Sequence, residues 1–523
     1  MVRRVTSSLG FAALFAAANA HAGEDDTPSD AAAQEVRRRP AAATQRSFDE
    51  EYASWFGGGR HPPHFLRAVV EAGALTAAGA VYYWKDPLAN QADQDNPSFG
   101  DRLTLEALRF DSNLNTTNHL LHPGAGMLTY DFARENGLSI PTSFLFTVVQ
   151  SVAWEFLFEW REKPSINDLV FTTVGGLPLG EVLFHATDYV NGAPARGGPL
   201  NKAAAWTIGF PRAIHRALDH GEGTLPVPLP ADALGFSSAY GHRFRIGYEF
   251  AGLSNDVGRD GWMGTLRWDS ELVAMPRFLQ PGAFTKTFAD GNFTEFHARF
   301  GGDGSKLVES DIEARATLFG RYAQDFHVTE GGDVDGHAFM FGVGPALRFQ
   351  WSDWLGREDQ LSTVHVAGPH AELWVRDGSF GMRLGGEAYV DFASIASLAY
   401  PRFVARYGAE GLKSVLERRG YQYSFGTWAR FRADAAFGPV LVGGSIGTGS
   451  YGTIEGYDRF QEEVTNDAHG SEFVLETMAR AAVCFGPLSI GAGLRERRRE
   501  STLATVDTRR NDRDLHLDVA VTF

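Results

Sequence analysis

Glu155 and Glu159 lie four residues apart in an apolar run, and Glu181 and His185 repeat that spacing further on. On a helix each pair shares one face. His119, His122 and Asp168 stand in the same stretch. Two carboxylate-bearing helices that face each other can hold a metal ion, with Glu155, Glu159, Glu181 and His185 as ligands. Alternatively, Glu155, Glu159, His122 and Asp168 could activate water against a lipid ester. The supporting signatures are missing from this stretch: the spacing fits neither Glu-x-x-His nor His-Glu-x-x-His, no Gly-x-Ser-x-Gly elbow occurs, and no Lys-Ser/Thr follows Gly175, Gly176 and Gly180 to cradle a phosphate. A simpler reading pairs these groups with Arg134, Asn167 and Trp154 to lock helices together, because unpaired buried charge is costly. The balance falls against an enzyme, with no catalytic residue, metal or other cofactor expected.

The groups need helices to hold them. His64–Trp84 reads as an apolar helix packed at a barrel base; Glu71 and the many Ala and Gly residues make it a poor membrane span. His122-Pro123 reads as a rigid turn, and Tyr130–Asn136 as a helix ending at Gly137. Phe144–Trp160 forms an apolar helix carrying Gln150, Ser151, Trp154, Glu155 and Glu159. Ser165, with Asp168 three residues on, has the spacing of a capping box. Gly175, Gly176 and Gly180 suit a close helix crossing.

In this order the residues His122-Pro123, Gly126, Tyr130, Ala133-Arg134, Ser151, Trp154-Glu155, Pro164-Ser165, Asn167-Asp168, Gly175-Gly176 and Gly180-Glu181 resemble the bacterial family called domain of unknown function 3943. The resemblance covers roughly residues 85–190. It implies an exported protein with a carboxy-terminal barrel and brings no activity with it.

The residues alone lead to the same architecture. In Leu515–Phe523, Leu515, Leu517, Val519, Val521 and Phe523 alternate with His516, Asp518, Ala520 and Thr522. A terminal amphipathic strand ending on Phe523 resembles the closing strand of an outer-membrane barrel, whose final aromatic is read by the barrel-assembly machinery. Similar alternation recurs from about Tyr240, for example over Phe244–Phe250, Phe296–Phe300, Ile312–Leu318, Met382–Phe392 and Phe473–Phe485. Asp377-Gly378 marks a tight hairpin. The count comes to about 12 antiparallel strands, even as in bacterial barrels. Arg243, Arg245, Arg299, Arg315, Glu372, Arg376, Arg383, Glu387, Arg430, Arg432, Asp434, Glu476 and Arg480 fall on the polar face, hence in the lumen. With Arg267, Glu249, Asp269, Glu313 and Asp391 on the same face, ten Arg stand against eight carboxylates, a near balance of sign that suits a closing lattice better than an anion pore. Trp262, Trp268, Trp351 and Tyr423 are candidate girdle residues, and the charge run Arg495–Glu500 reads as a loop.

At the other terminus, Arg3 and Arg4, a short apolar run and Ala20-His21-Ala22 form a signal peptide over 1–22. Its removal, with Arg3 and Arg4, takes the net charge from −16 to −18. So acidic a chain argues against nucleic acid as a partner. The single cysteine, Cys484, excludes an internal disulfide. Residues 23–62 read as a flexible periplasmic leader, 63–225 as a small α-helical domain, and 238–523 as an all-β transmembrane barrel. The expectation is a protein of the Gram-negative outer membrane, in contact with its lipid. Its helical domain would serve as plug or docking surface in a structural or transport role, with a small solute or an envelope protein as partner. The competing expectation is a membrane-embedded lipid-modifying or hydrolytic enzyme.

Overall fold

The structure, a computed structural model, describes residues 47–57, 59–85, 96–114, 116–193, 198–219, 226–232, 234–454, 456 and 468–523. The expected signal peptide and the leader up to residue 46 lie outside the described residues.

The helices are α1 (Phe48–Phe56), α2 (Phe65–Lys85), α3 (Phe99–Leu103), α4 (His122–Glu135), α5 (Ile140–Ala153), α6 (Ile166–Val170), α7 (Gly176–Asn191), α8 (Pro199–Thr207), α9 (Phe210–Leu218), α10 (Tyr400–Tyr407) and α11 (Ser414–Arg419). Wide π-type turns extend three of them: Thr117–Leu121 enters α4, Trp154–Phe158 continues α5, and Phe171–Gly175 joins α6 to α7. His122-Pro123 is therefore not a free-standing turn. Pro123 sits in the first turn of α4, where its missing N–H costs nothing.

The strands are β1 (Gly241–Asn255), β2 (Asp260–Val273), β3 (Gly282–Phe288), β4 (Phe293–Gly302), β5 (Leu307–Thr317), β6 (Phe319–Val328), β7 (Val334–Trp354), β8 (Arg357–Asp377), β9 (Phe380–Ala396), β10 (Tyr421–Phe437), β11 (Val440–Thr453), β12 (Gly470–Phe485), β13 (Leu488–Leu503) and β14 (Val506–Thr522). All 14 belong to one sheet, and pairing of β7 with β8 closes 12 of them into an antiparallel barrel. The remaining two, β3 and β6, hang as a flap from β7. β7 pairs with β6 over Val334–Val343 and with β5 over Ala346–Ser352. At this fork Pro345 has no N–H to leave unpaired. A Cβ on Gly344 would stand 1.8 Å from the Ala316 carbonyl oxygen, so only glycine fits beside it.

The short turns at Gly378, Gly438 and Gly486 all have positive φ and all lie at the barrel end that carries Phe523. There Phe523 exchanges backbone hydrogen bonds with Phe244. The connection that bears α10 and α11 lies at the opposite end, together with the tight β7–β8 and β13–β14 turns, while the insertions that carry β3 and β6 lie at the Phe523 end. The expected loop Arg495–Glu500 is instead part of β13: the strand continues past the apolar belt, with Arg495, Arg497 and Arg499 turned to the lumen and Glu496 to the outside.

Residues 61–186 and 240–523 form one compact unit. The described residues up to Arg60 and those of 187–239 form another. Within the second, Asp188 accepts from Arg60 at 2.5 Å and also pairs with Arg212, all three buried, and Tyr189 stacks on Phe236 at 5.3 Å.

Replacing Gly344 by Val should cost about 1–3 kcal/mol through overpacking at the fork. Gly386→Val, with open space around its Cβ, should be near neutral. The denaturant midpoint of the folded, heat-modifiable species measures both.

Candidate functional site

Alternation assigns each strand residue to lumen or wall, and the helices meet the wall. On β9, Arg383, Glu387 and Asp391 make ion pairs or hydrogen bonds inside the barrel, so Val390 and Phe392 face outward. Val390 is 62% exposed but Phe392 only 2%. Phe110 and Phe171 cover Phe392, at ring distances of 6.2 and 5.8 Å. Along the same rung Phe392 pairs with Val364, Val364 with Leu347, and Leu347 with Ala314, all buried. Phe425, next to Phe392 on the other side, is 60% exposed. A Cβ on Gly175 would touch Leu347 and Val364, so the helix backbone approaches the sheet closely there. Asn118 donates to the Tyr423 hydroxyl at 3.1 Å, and Tyr421 donates to the Asn113 carbonyl at 2.9 Å. The helical segment is thus no plug: it packs against the outside of β5 and β7–β10, with α6 and α7 running toward Thr294, where His185 Nδ1 lies 3.3 Å from the Thr294 hydroxyl. Tyr423, expected in a girdle, is covered by this contact.

Two polar clusters hold the helices together. In the first, Asp111 accepts from Asn118 and, at 2.9 Å, from Asn167, while the Asp111 amide donates to Asn167 Oδ1 at 3.0 Å. Ser165 caps α6 through the Asp168 amide at 3.2 Å, and its own amide donates to Glu155 at 2.8 Å. His122 Nε2 lies 3.6 Å from Asp168, and Arg102 donates to the carbonyls of Glu155, Glu159 and Trp160 at the end of α5. Burial pushes the Glu159 carboxyl up to about 8, with Glu162 adding to the effect.

In the second cluster Glu181, fully buried, accepts from Tyr130 at 2.6 Å and from both arms of Arg134 at 2.9 and 3.0 Å. His185 Nε2 stands 3.6 Å away, and the Arg134 guanidinium lies over the Phe184 ring at 4.4 Å. Gly126 and Gly176 meet backbone to backbone, and Gly180 leaves room for the Tyr130 ring. Every expected helical residue therefore occupies a packed interface. Glu155 and Glu181 belong to different clusters, each committed to neighbours within the helices. The chain does contain one literal Gly-x-Ser-x-Gly, Gly443–Gly447, but it lies within β11 and not at the strand-to-helix turn that chemistry needs.

The lumen is spanned by ion pairs. Arg383 on β9 reaches Glu271 on β2 at 2.8 Å, five strands away on a ring of 12. Arg432 reaches Glu295 at 2.8 Å, Arg348 reaches Glu476 at 2.8 Å, and Arg495 reaches Glu309 at 2.8 Å. Arg430 pairs with Glu387 at 2.7 Å, Arg299 with Glu249 at 2.8 Å, Arg245 with Asp518 at 2.5 Å, Arg480 with Asp434 at 2.9 Å, and Arg243 with Glu271 at 3.0 Å. Arg315 bridges Glu295 and Glu387, and Glu372 joins Arg383 at 2.6 Å. Arg376 stands apart from the lattice, exposed at the barrel end over the Phe326 ring. Among the described residues, Glu295, His370 and Glu372 have the spacing of metal ligands. Arg315, Arg383 and Arg432 already occupy their carboxylates, so a cation there would meet three positive charges.

Above the lattice Tyr389, Trp428 and Tyr451 fill the section with Leu361, Ile395 and Val474. Gly447 and Gly449 on β11 make this possible, since a Cβ at either would stand 2.6–2.7 Å from the Trp428 or Tyr451 ring. Phe403, Leu412 and Leu416 from the α10–α11 connection cluster with Leu503 and Val506 at the loop end. Phe278, Phe293, Tyr322 and Trp374 cluster at the turn end. A cavity of about 510 Å³ remains within the lattice, from Trp354 and Asp512 toward the Gly486-Pro487 turn.

Comparison with known proteins agrees with the helical motifs. Residues 107–209 match domain of unknown function 3943. The chain does not match any curated protein. Among solved structures, Neisserial surface protein A aligns at 9% identity and a TM-score of 0.16, over 54% of this chain and 99% of its own. The translocator domain of the autotransporter NalP from Neisseria meningitidis aligns at 12% and 0.18, over 60% and 93%. OmpT of Vibrio cholerae, an outer membrane protein, aligns at 9% and 0.17, over 55% and 100%. At these scores the likeness adds nothing to the strand pairing, which by itself establishes the barrel.

Glu181→Gln should destabilise the helical segment by about 3–5 kcal/mol, because it leaves Arg134 buried without its counter-charge. Adding Arg134→Met should recover most of that loss. Denaturant titration followed by far-UV circular dichroism separates the two variants.

Proposed function

We propose that this chain is an outer-membrane β-barrel protein of the Gram-negative envelope with a structural role: a sealed barrel that serves as scaffold for its helical segment. The set of ion pairs spanning the lumen carries this reading. Arg383–Glu271, Arg432–Glu295, Arg348–Glu476 and Arg495–Glu309 cross between nearly opposite walls, and a mobile solute would have to break them. The aromatic clusters above and below the lattice support it. The connection that bears α10 and α11, at the end opposite Phe523, suits the cell exterior. The enzyme reading is not favoured, since Glu155, Glu181 and Asp168 are each engaged in helix packing.

A second reading, a narrow passage for a small solute, rests on the 510 Å³ cavity that reaches the Gly486-Pro487 turn. Planar-bilayer recording separates the two. The intact protein should give no steady conductance; regular ion-conducting steps would overturn the sealed reading in favour of the passage.

Phe523 is half exposed at the end of β14, where an assembly machinery could reach it. Phe523→Ala should slow the appearance of folded barrel in cells. The denaturant midpoint of the barrel that does fold should stay unchanged.

A further inference from the structure

The outer faces of α2 and α5 are built inside out for water. On α5, with its terminal turn Trp154–Phe158, the small polar residues Ser143, Thr147 and Ser151 point into the helical segment, while Leu145, Val149, Val152 and Leu157 are exposed. On α2, Ala68 and Thr76 are buried, while Phe65, Leu66, Val69, Val70, Val81 and Tyr82 are exposed. A helix at a water-facing surface shows the reverse arrangement. The interior contacts are polar too: Gln150 donates to Thr76 at 3.1 Å and also bonds Thr129, and Asn136 donates to Glu71 at 2.5 Å. Small and polar residues between helices, with large apolar ones outside, are the pattern of helices surrounded by hydrocarbon.

Position and length agree. The helices cover Phe392, Val364 and Leu347 on the barrel wall, and the wall residues beside them, Val390 and Phe425, are open and apolar. Phe65–Lys85, Ile140–Phe158 and Ile166–Asn191 are each long and apolar enough to cross a membrane. The 21 residues of α2 reach about 31 Å, close to the thickness of a bilayer core. At one end of α2 and α5, Trp84 meets Trp160 at 5.9 Å and the Arg161 guanidinium lies 4.4 Å over Trp84. Such aromatic and basic residues belong at a membrane interface.

We infer that the helical segment is embedded in the lipid beside the barrel, with α2 and α5 facing acyl chains, so that helices and strands share one membrane. This rests on the membrane reading of the barrel, and the test keeps the two apart. Single nitroxide labels are placed at Val70, Leu145 and Val149 in full-length protein carrying Cys484→Ser, refolded into phosphatidylcholine vesicles. Val390 on the barrel wall and Asp333 in an exposed turn serve as references. The three helix sites should collide with oxygen in preference to a water-soluble nickel chelate, in the ratio found at Val390. Nickel collisions at the level of Asp333, with Val390 still in lipid, would overturn the inference alone. Protection from both relaxants would overturn it too, showing that protein covers the face. A wet Val390 would sink the barrel's membrane placement together with it.

Discussion

Period-two alternation on a closed sheet is the constraint from which the other features follow. Twelve strands in a ring send half of the side chains into the lumen and half onto a wall. Inside, each guanidinium needs a carboxylate within reach, and the lattice meets that need by linking strands that are far apart in the sheet. Outside, each exposed aromatic or aliphatic row needs an apolar neighbour. On most of the ring none of the described residues provides one. On β5 and β7–β10 the helical segment does, through Phe110, Phe171 and Gly175.

The alternation was legible wherever bulky residues carried it, as in Phe244–Phe250 and Phe473–Phe485. It failed where chemistry blurred the two faces. In Arg495–Glu500 both faces are charged, because β13 has risen beyond the apolar belt there, so a strand reads as a loop. β11 carries glycine where other strands carry large residues, since Trp428 and Tyr451 lie on its backbone, and the strand leaves little trace in the pattern. Which wall residues meet helices could not be read at all: Phe392 and Phe425 are the same residue type on the same face, and only tertiary packing tells them apart.

For the helical segment the residue choice was legible and the arrangement was not. Glu181 with Arg134, and Asn167 with Ser165 and Asp168, stand out in the sequence as polar groups in apolar surroundings. Their spacing is as compatible with a metal site as with packing. The decision comes from Asp111, Tyr130 and Arg102, distant in sequence: Asp111 accepts from the Asn167 side-chain amide, Tyr130 donates to Glu181, and Arg102 donates to the helix-end carbonyls. Asp111 and Arg102 offered no local signal, since each works through a fold contact with residues about fifty positions away.

The wide turns at Thr117–Leu121, Trp154–Phe158 and Phe171–Gly175 have a consequence for angular bookkeeping along these helices. Each admits one residue more than a regular turn, which advances the azimuth of everything beyond it by about 100°. Glu159 and Glu181, which lie beyond such turns, thereby face directions that a constant-period wheel drawn from the start of their helices would not give them. A single-residue insertion or deletion near such a turn would re-index half a helix while leaving the other half in place. Length variation among related chains should therefore concentrate there, where the helix already tolerates a slipped count.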